Sequence, residues 1–299
     1  MCIAVLALGQ HARFPWVLAA NRDEFFDRPA APLDWWQPPQ HVQPILAGRD
    51  LSAGGTWLGL STQGRLALLT NVRDPANQRA EAPSRGRIVP DWLGTRRTLD
   101  DIHLDWQRAG HNGFNVIAAD LAEQRWGWTD SRTAAPLPLL PGLHGLSNAS
   151  LDTPWPKVVQ LRDAVQEQVS SARALTPLVE GLFAALTNPL RAADHALPDT
   201  GLPLAVERAL SSVFIRTDDG RYGTRCSTVL VGEQDDARGL RIHVFERTYE
   251  IAQGDGELAW TTLPMAGLTG QTTAIGRLPQ RGLGYGTTLS STLMKSSAD

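Results

Sequence analysis

Cys2 carries the groups needed for nucleophilic chemistry on a single residue. It begins the apolar run CIAVLAL at 2–8. If Met1 is removed, Cys2 has both a thiol and a free α-amine, and an amine with a pKa of about 8 accepts the thiol proton near neutral pH. The position therefore predicts a self-activated nucleophile. A small buried hydrophobic residue is the alternative interpretation of a lone cysteine.

The segment VLAANRDEFFDRPA at 17–30 places an amide, a guanidinium and two carboxylates directly after an apolar run. A nucleophile of this kind needs a polar group that holds it and donors for the developing oxyanion, and these groups should project from strand ends near residue 2. Because neighbouring strand residues point to opposite faces, Glu24 is predicted to face away from the site if Asp23 faces it. A structural ion pair of Arg22 with either carboxylate is the alternative.

Paired apolar runs indicate the elements that position these residues. The runs at 2–8 and 16–20 predict a hairpin. Three further pairs have the same form: 56–61 with 65–71, 114–120 with 124–130, and 225–232 with 241–250. Residues 142–150 are a further strand candidate, and helices are predicted over 155–172 and 176–187. Strand–helix alternation is absent, so the sequence predicts an α+β fold of mainly antiparallel sheets covered by helices.

The composition of the 299-residue chain excludes several classes of protein. A net charge of −3 gives no electrostatic basis for binding nucleic acid. No apolar run reaches the ~18–20 residues that span a bilayer, so stable membrane insertion is not expected. Two cysteines indicate a reducing, cytoplasmic compartment, and the seven histidines lack metal-ligand spacing. We predict one domain over 1–262 and a flexible tail over 263–299.

Several segments of the sequence resemble the NRDE-motif family of transport and Golgi organisation proteins over roughly residues 1–250. The segments are MCIAVLAL, LAANRDEFFDRP, GGTWLGLSTQGRLALLTN, NGFNVIAAD, GLSNASLDTPWPK and YGTRCSTVLVG. The resemblance implies links to haem trafficking and to acyl-coenzyme A or lipid homeostasis, without a settled enzymatic activity. It implies no required cofactor, with haem as a candidate transported ligand.

A more distant resemblance is to N-terminal-nucleophile hydrolases with a cysteine nucleophile, the penicillin V acylase and bile salt hydrolase group. It implies a four-layer αββα sandwich. The matching positions occur in the same chain order: Cys2, Arg22, Asp23, Asn71, Asn148 and Arg225. The spacing Asn-Arg-Asp departs from the Arg-x-x-Asp of that group. It therefore leaves open whether Asn21 or Arg22 takes the place of the arginine.

This second resemblance implies a role for each matching residue. The Asn71 amide would help form an oxyanion hole, and Asn148 would orient the amine or the substrate amide. Asp23 would bind the ammonium form of the Cys2 amine, and Arg22 or Arg225 would lower the thiol pKa through nearby positive charge. Ordinary turn residues are the alternative for the two asparagines, and a solvated strand start is the alternative for Arg225.

Five further residues are predicted to bind substrate. The basic segment SRGR at 84–87 can hold the anionic end of a ligand, although a solvated loop is the commoner role of such a segment. A tryptophan can line an apolar cavity, and His144 flanks a strand near the site. The predicted substrate-binding residues are Asn21, Trp57, Arg85, Arg87 and His144.

Two functions remain open from the sequence. The first is a hydrolase that cleaves an amide or thioester bond of a small molecule through Cys2. The second is a non-catalytic small-molecule carrier on the same fold, because a shared fold does not transfer chemistry. A structural interaction module is the weakest hypothesis, since polar groups clustered at strand ends lower stability without an evident structural return.

Overall fold

The computed structural model describes residues 2–235, 239–249, 257–264 and 276–279. Within them, two sheets of seven strands each are formed, and all the neighbouring strands pair antiparallel. In spatial order, the first sheet contains β10 (Gly142–Leu146), β1 (Cys2–Leu8), β2 (Trp16–Phe25), β11 (Tyr222–Asp235), β12 (Gly239–Thr248), β13 (Glu257–Pro264) and β14 (Gly276–Pro279). The predicted hairpins 2–8 with 16–20 and 225–232 with 241–250 are confirmed as β1–β2 and β11–β12.

The second sheet is a meander in which strand order follows chain order. It contains β3 (Ala30–Trp36), β4 (Ile45–Asp50), β5 (Leu58–Ser61), β6 (Arg65–Asn71), β7 (Phe114–Asp120), β8 (Arg125–Asp130) and β9 (Leu137–Pro138). The other two predicted hairpins are confirmed as β5–β6 and β7–β8.

Helices cover the outer face of each sheet. The helices are α1 (Ile88–Leu93), α2 (Leu99–Ala109), α3 (Pro156–Ser171), α4 (Leu175–Leu186) and α5 (Leu204–Ala209). One apolar cluster joins α3 and α4 to the first sheet, and another joins α1 and α2 to the second sheet. A third cluster fills the space between the two sheets. The four-layer αββα order implied by the hydrolase resemblance is therefore present.

The apolar run of β1 is continuous because both faces of this strand are buried. Ile3 and Val5 belong to the cluster under α3 and α4, whereas Ala4 and Leu6 belong to the cluster between the sheets. Because both faces are covered, every position of the strand interior is apolar, and the usual alternation with polar residues is lost.

Helices α1 and α2 were not predicted from the sequence. α2 begins with a capping box, in which the Thr98 side chain accepts from the Asp101 backbone and the Asp101 side chain accepts from the Thr98 backbone. It ends at Gly110, whose φ is 71°. α3 begins with Pro156 at its first turn, as the sequence indicated.

Part of the predicted tail lies in described strands. Residues 263–264 belong to β13 and residues 276–279 form β14, and the rest of 265–299 lies outside the described residues. The described helices include none that is both long and apolar enough to cross a membrane. The described residues likewise contain no group of three or more His, Cys, Asp or Glu placed to hold a metal ion.

Candidate active site around Cys2

A cavity of about 340 Å³ lies where the ends of β1 and β2 meet the end of β6 in the other sheet. It therefore draws its walls from both sheets and from the loop that precedes α1. Six of the residues predicted from the sequence line this cavity: Cys2, Arg22, Asp23, Trp57, Asn71 and Arg85.

Cys2 lies opposite Arg22 in the β1–β2 pairing, and Cys226 lies opposite Arg22 on the other side of β2. Burial raises the pKa of the Cys2 thiol, the Asp23 carboxylate raises it further, and the Arg22 guanidinium lowers it. Burial raises the pKa of the Cys226 thiol well above its usual range. Of the two thiols, the partly buried Cys2 is the one that faces the cavity.

Arg22 is held by a carboxylate and a tryptophan. Its Nη2 donates to Asp50 Oδ2 at 3.1 Å and lies 3.9 Å from Glu24 Oε2, and its guanidinium lies 4.3 Å from the Trp57 ring centroid. Arg28 Nε also donates to Asp50 Oδ2, at 2.7 Å. Arg22 Nη1 is buried and makes no hydrogen bond to the described residues.

Asp23 is fully buried and fixed by the neighbouring strand β11. Thr224 Oγ1 donates to Asp23 Oδ1 at 2.7 Å, and the Tyr222 hydroxyl donates to the Asp23 carbonyl at 2.8 Å. Burial raises the pKa of the Asp23 carboxyl, and Lys157 is the largest influence that lowers it. The geometry gives Asp23 a fixed carboxylate next to residue 2.

Asn71 and Asn148 connect the two sheets. Asn148 Nδ2 donates to the Asn71 carbonyl at 2.9 Å, and the Arg73 N–H donates to the Asn148 carbonyl at 2.8 Å. Ser147 Oγ donates to the Cys2 carbonyl at 2.9 Å. The Asn71 side chain lines the cavity and makes no hydrogen bond within the described part of the chain, so its amide is free to meet a ligand.

Arg85 is positioned by a close backbone contact. A Cβ atom on Gly55 would lie 2.1 Å from the Gly86 carbonyl oxygen, so only glycine permits this approach. The contact fixes the turn that carries Arg85, and Arg85 Nη1 donates to the Gly113 carbonyl at 3.0 Å.

Asn21 does not line the cavity. Its Nδ2 donates to the carbonyls of Leu186 and Val213, at 2.9 Å each, and its Oδ1 accepts from Ser227 Oγ at 2.6 Å. Because Asn21 and Arg22 alternate along β2, Asn21 points to the helix side of the sheet. The structure thus corrects its predicted place in the substrate site, and Arg22 is the residue that faces Cys2.

Arg225 and Asn148 also lie outside the cavity lining. Arg225 occupies an irregularity in the β2–β11 pairing, and its Nη1 donates to the carbonyls of Phe25, Phe26 and Arg28. It therefore holds the turn between β2 and β3. Asn148 is 1% exposed, and its side-chain amide donates to the Asn71 carbonyl. It therefore contacts Asn71 and not the cavity itself.

Arg87 and His144 are placed away from Cys2. Arg87 is exposed and borders a separate groove beside α1, because residues two apart in a 3₁₀ turn point in different directions. His144 Nδ1 pairs with Asp152 Oδ2 at 3.4 Å, and its Nε2 lies 2.8 Å from the Leu140 carbonyl. Both ring nitrogens of His144 therefore have partners within or next to the β10 segment.

Sequence reasoning missed four residues of this region. Glu24 was predicted to face away, but Cys2, Arg22 and Glu24 share one face, and the cavity also includes Arg28 and Asp50. The alternation along β2 could have identified Glu24. Because Arg22 pairs with Cys2, Glu24, which lies two residues after Arg22, is on the same face of the strand. Lys157 carried no signal, because the second residue of an amphipathic helix is ordinarily exposed.

The fold and the cavity define a four-layer αββα protein with a cysteine at the start of its first strand. Residues 1–251 match the family described as Transport and Golgi organisation 2, and the chain belongs to that family. It is 38% identical over 238 residues to the Bos taurus Transport and Golgi organization protein 2 homolog, covering 73% of this chain and 82% of the relative. The Homo sapiens homolog is 35% identical over 237 residues, with 73% and 82% covered.

A more distant relative and one solved structure complete the comparison. Drosophila melanogaster Transport and Golgi organization protein 2 is 25% identical over 269 residues, covering 83% of this chain and 91% of the relative. A Caenorhabditis elegans N-acylethanolamine-hydrolyzing acid amidase ortholog superposes with a TM-score of 0.40 and 11% identity, covering 77% and 92% of the two chains. A likeness of that extent defines neither the fold nor the activity of this protein.

Proposed function

We propose that this protein hydrolyses an amide or thioester bond of a small molecule, with the Cys2 thiol as nucleophile. One observation carries the proposal: Cys2, Arg22 and Asn71 come from three strands of two sheets and line one cavity. A nucleophile, a positive charge and a hydrogen-bond donor on one cavity are the groups that acyl transfer requires.

The chemistry begins with removal of Met1, which frees the α-amine of Cys2. That amine accepts the thiol proton, and the thiolate sulfur attacks the substrate carbonyl. The Asn71 amide N–H donates to the developing oxyanion, and the Asp23 carboxylate holds the ammonium form of the amine. The ammonium returns its proton to the leaving amine or thiol, and water then cleaves the thioester formed on Cys2.

Arg85 is the group of the cavity that favours a substrate with an anionic end. Three arginines (Arg22, Arg28 and Arg85) and three carboxylates (Asp23, Glu24 and Asp50) line the cavity, but Arg22 and Arg28 both pair with Asp50, whereas Arg85 forms no ion pair with the described residues. Burial lowers the pKa of Arg85, whereas Glu24 raises it, and a guanidinium in such a place binds a carboxylate or phosphate through two parallel hydrogen bonds. Trp57 offers an apolar surface beside them.

The decisive experiment combines intact mass with turnover. The mass of the protein from its native host reports whether Met1 is removed, and a panel of acyl-coenzyme A thioesters and N-acyl amino acids reports hydrolysis. We expect turnover by the chain that begins at Cys2 and a loss of at least about 10³-fold in Cys2→Ala. Retention of Met1, or equal turnover by Cys2→Ala, overturns the proposal.

A non-catalytic carrier is the second candidate, and the thiol itself favours it. Burial raises the pKa of Cys2, so a chain that keeps Met1 holds a protonated, weakly nucleophilic thiol. The same cavity would then bind acyl-coenzyme A, or haem if the iron displaces the thiol proton, because Cys2 is the one residue of a haem-ligating type among the described lining residues. A Soret shift that persists in Asn71→Ala and is lost in Cys2→Ala, without turnover by either, supports the carrier.

A further inference from the structure

Lys157 is a fully buried lysine with no hydrogen bond to the described residues. It is 1% exposed and ranks among the largest fully buried side chains, although it is the second residue of α3. Its Nζ makes no hydrogen bond to any residue that the structure describes. Burying an ammonium without hydrogen bonds costs several kcal/mol, so such a lysine is retained at the expense of stability.

Four charged or titratable groups from different parts of the fold act on Lys157. They are Asp23 from β2, Cys2 from β1, Arg73 from the segment after β6 and Glu207 from α5. Arg73 and Glu207 form a buried ion pair, and Glu207 also accepts from Thr200 Oγ1. Because Arg73 and Glu207 offset each other, Asp23 is the carboxylate left to balance Lys157.

Lys157 is the first of the charged groups that act on Asp23. Among the causes that lower the pKa of Asp23 against the effect of burial, Lys157 stands first, ahead of the N-terminal amine, Thr224 and Arg73. In the opposite direction, Asp23 is the largest influence that raises the pKa of Lys157, while burial lowers it to about 8. Each side chain is therefore the strongest opposite charge that acts on the other, and both are fully buried.

We propose that Lys157 is a positioning residue for Cys2, and that its buried ammonium is the counter-charge that keeps the Asp23 carboxylate ionised next to the amine of residue 2. This inference rests on the proposed hydrolytic function for its purpose. Without Lys157, a carboxyl group buried as completely as Asp23 takes up a proton, and a neutral carboxyl no longer binds an ammonium. Lys157 acts through Asp23 and does not touch the substrate, because the cavity lining does not include it.

The chain offers a direct test because Lys157 and Lys295 are its only lysines. Full-length protein labelled with ¹³C at the lysine ε-carbon gives two signals, and a Lys157→Arg sample assigns them. We expect the Lys157 signal to titrate near pH 8. In Asp23→Asn we expect that midpoint to fall by roughly 1 pH unit or more, because an attractive negative charge is removed.

The matched control is Asp163→Asn, which removes an exposed carboxylate from the same helix. We expect it to leave the Lys157 midpoint unchanged. Equal midpoints in Asp23→Asn and Asp163→Asn overturn the inference, and so does a wild-type midpoint at the ordinary lysine value of 10.5. The wild-type titration tests whether the pKa of Lys157 is lowered, even if Asp23→Asn does not fold.

The functional measurement uses two substitutions of the lysine itself. We expect Lys157→Gln to lower kcat by about 10-fold or more while KM changes little, and Lys157→Arg to restore most of the loss. Equal kcat in wild type and Lys157→Gln overturns the positioning role. The titration needs no substrate, so its outcome is separate from the hydrolase proposal, which fails only if Cys2→Ala keeps turnover or Met1 is retained.

Discussion

At the scale of single residues, Arg22 links the NRDE segment to Cys2. Its guanidinium bonds to Asp50 and stacks on Trp57, and its side chain is 4% exposed, whereas that of Arg28 on the same carboxylate is 38% exposed. A buried charge pair responds strongly to loss of one partner, and an exposed pair responds weakly.

We therefore expect Arg22→Met to lower the free energy of unfolding by about 3 kcal/mol. Arg28→Met should lower it by less than about 1 kcal/mol, since Arg22 still pairs with Asp50 and the lost contact is partly solvated. Urea unfolding followed by circular dichroism measures both values. Equal losses in the two variants would show that burial does not separate the two arginines.

Lys157 has a stability signature that depends on pH. Its pKa is about 8 in the folded chain against an ordinary 10.5, so the unfolded state binds more protons between those values. Stability therefore rises as pH increases from about 8 to 10.5, by up to roughly 3 kcal/mol, and the penalty is constant below that window.

Lys157→Gln removes this titration. The free energy of unfolding of the wild type, relative to that of the variant, should therefore increase as pH rises. Urea unfolding of both proteins at pH 7.5, 8.5 and 9.5 gives the difference at each pH, and groups common to both proteins cancel. A difference that stays constant over that range would contradict the depressed lysine pKa.

At the scale of elements, two glycines in contact have unequal tolerance for a side chain. A Cβ on Gly55 would lie 2.1 Å from the Gly86 carbonyl oxygen, whereas a Cβ on Gly86 would meet its nearest atoms at 3.4 Å. The first distance demands a backbone shift, and the second is ordinary van der Waals contact.

Gly55→Ala should therefore lower the free energy of unfolding by about 1–3 kcal/mol and weaken ligand binding, since it displaces the turn that carries Arg85. Gly86→Ala in the same contact should change stability by less than about 1 kcal/mol. Thermal unfolding of the pair measures the contrast. Similar melting temperatures for the two variants would show that the turn is not held by this approach.

At the scale of the whole molecule, the cavity joins the two sheets. Its lining includes Cys2 and Arg22 from the first sheet, Asn71 from the second, and Arg85 from the loop before α1. A ligand that fills it bonds to both sheets at once and binds only the folded chain. Binding should therefore raise the stability of the whole fold.

The Cys2→Ala variant is expected to bind a thioester or amide ligand without cleaving it. With that ligand at 100 times its Kd, the free energy of unfolding of the variant should rise by about 2.7 kcal/mol. Adding Arg85→Met should weaken binding of anionic ligands more than of their neutral amides, because it removes a cation from the lining. Arg87→Met is the matched control from the same turn, outside this cavity. Equal effects of Arg85→Met and Arg87→Met would place the anion elsewhere.

The amino-acid pattern alone determined the antiparallel strands, the helices α3 and α4, and the nearness of Cys2 to the NRDE segment. These features are local: apolar runs and short connections set β1 against β2, and a two-residue period decides which side chains share a face. The same period was applied to Asp23 and Glu24, and it predicted that Glu24 faces away. Applied from Cys2, it also places Glu24 beside Arg22.

Only the tertiary structure decided which distant polar groups meet. Asn148 reaches Asn71 across 77 residues of sequence, Arg225 binds the turn after β2, and Lys157 turns its ammonium inward to Asp23. Such pairings depend on how two sheets and their helices stack, because a side chain has no fixed partner until the layers close. The NRDE segment was visible as a chemical pattern, but the packing of α3 on β1 and β10 buried Lys157, the strongest opposite charge that acts on the Asp23 carboxylate.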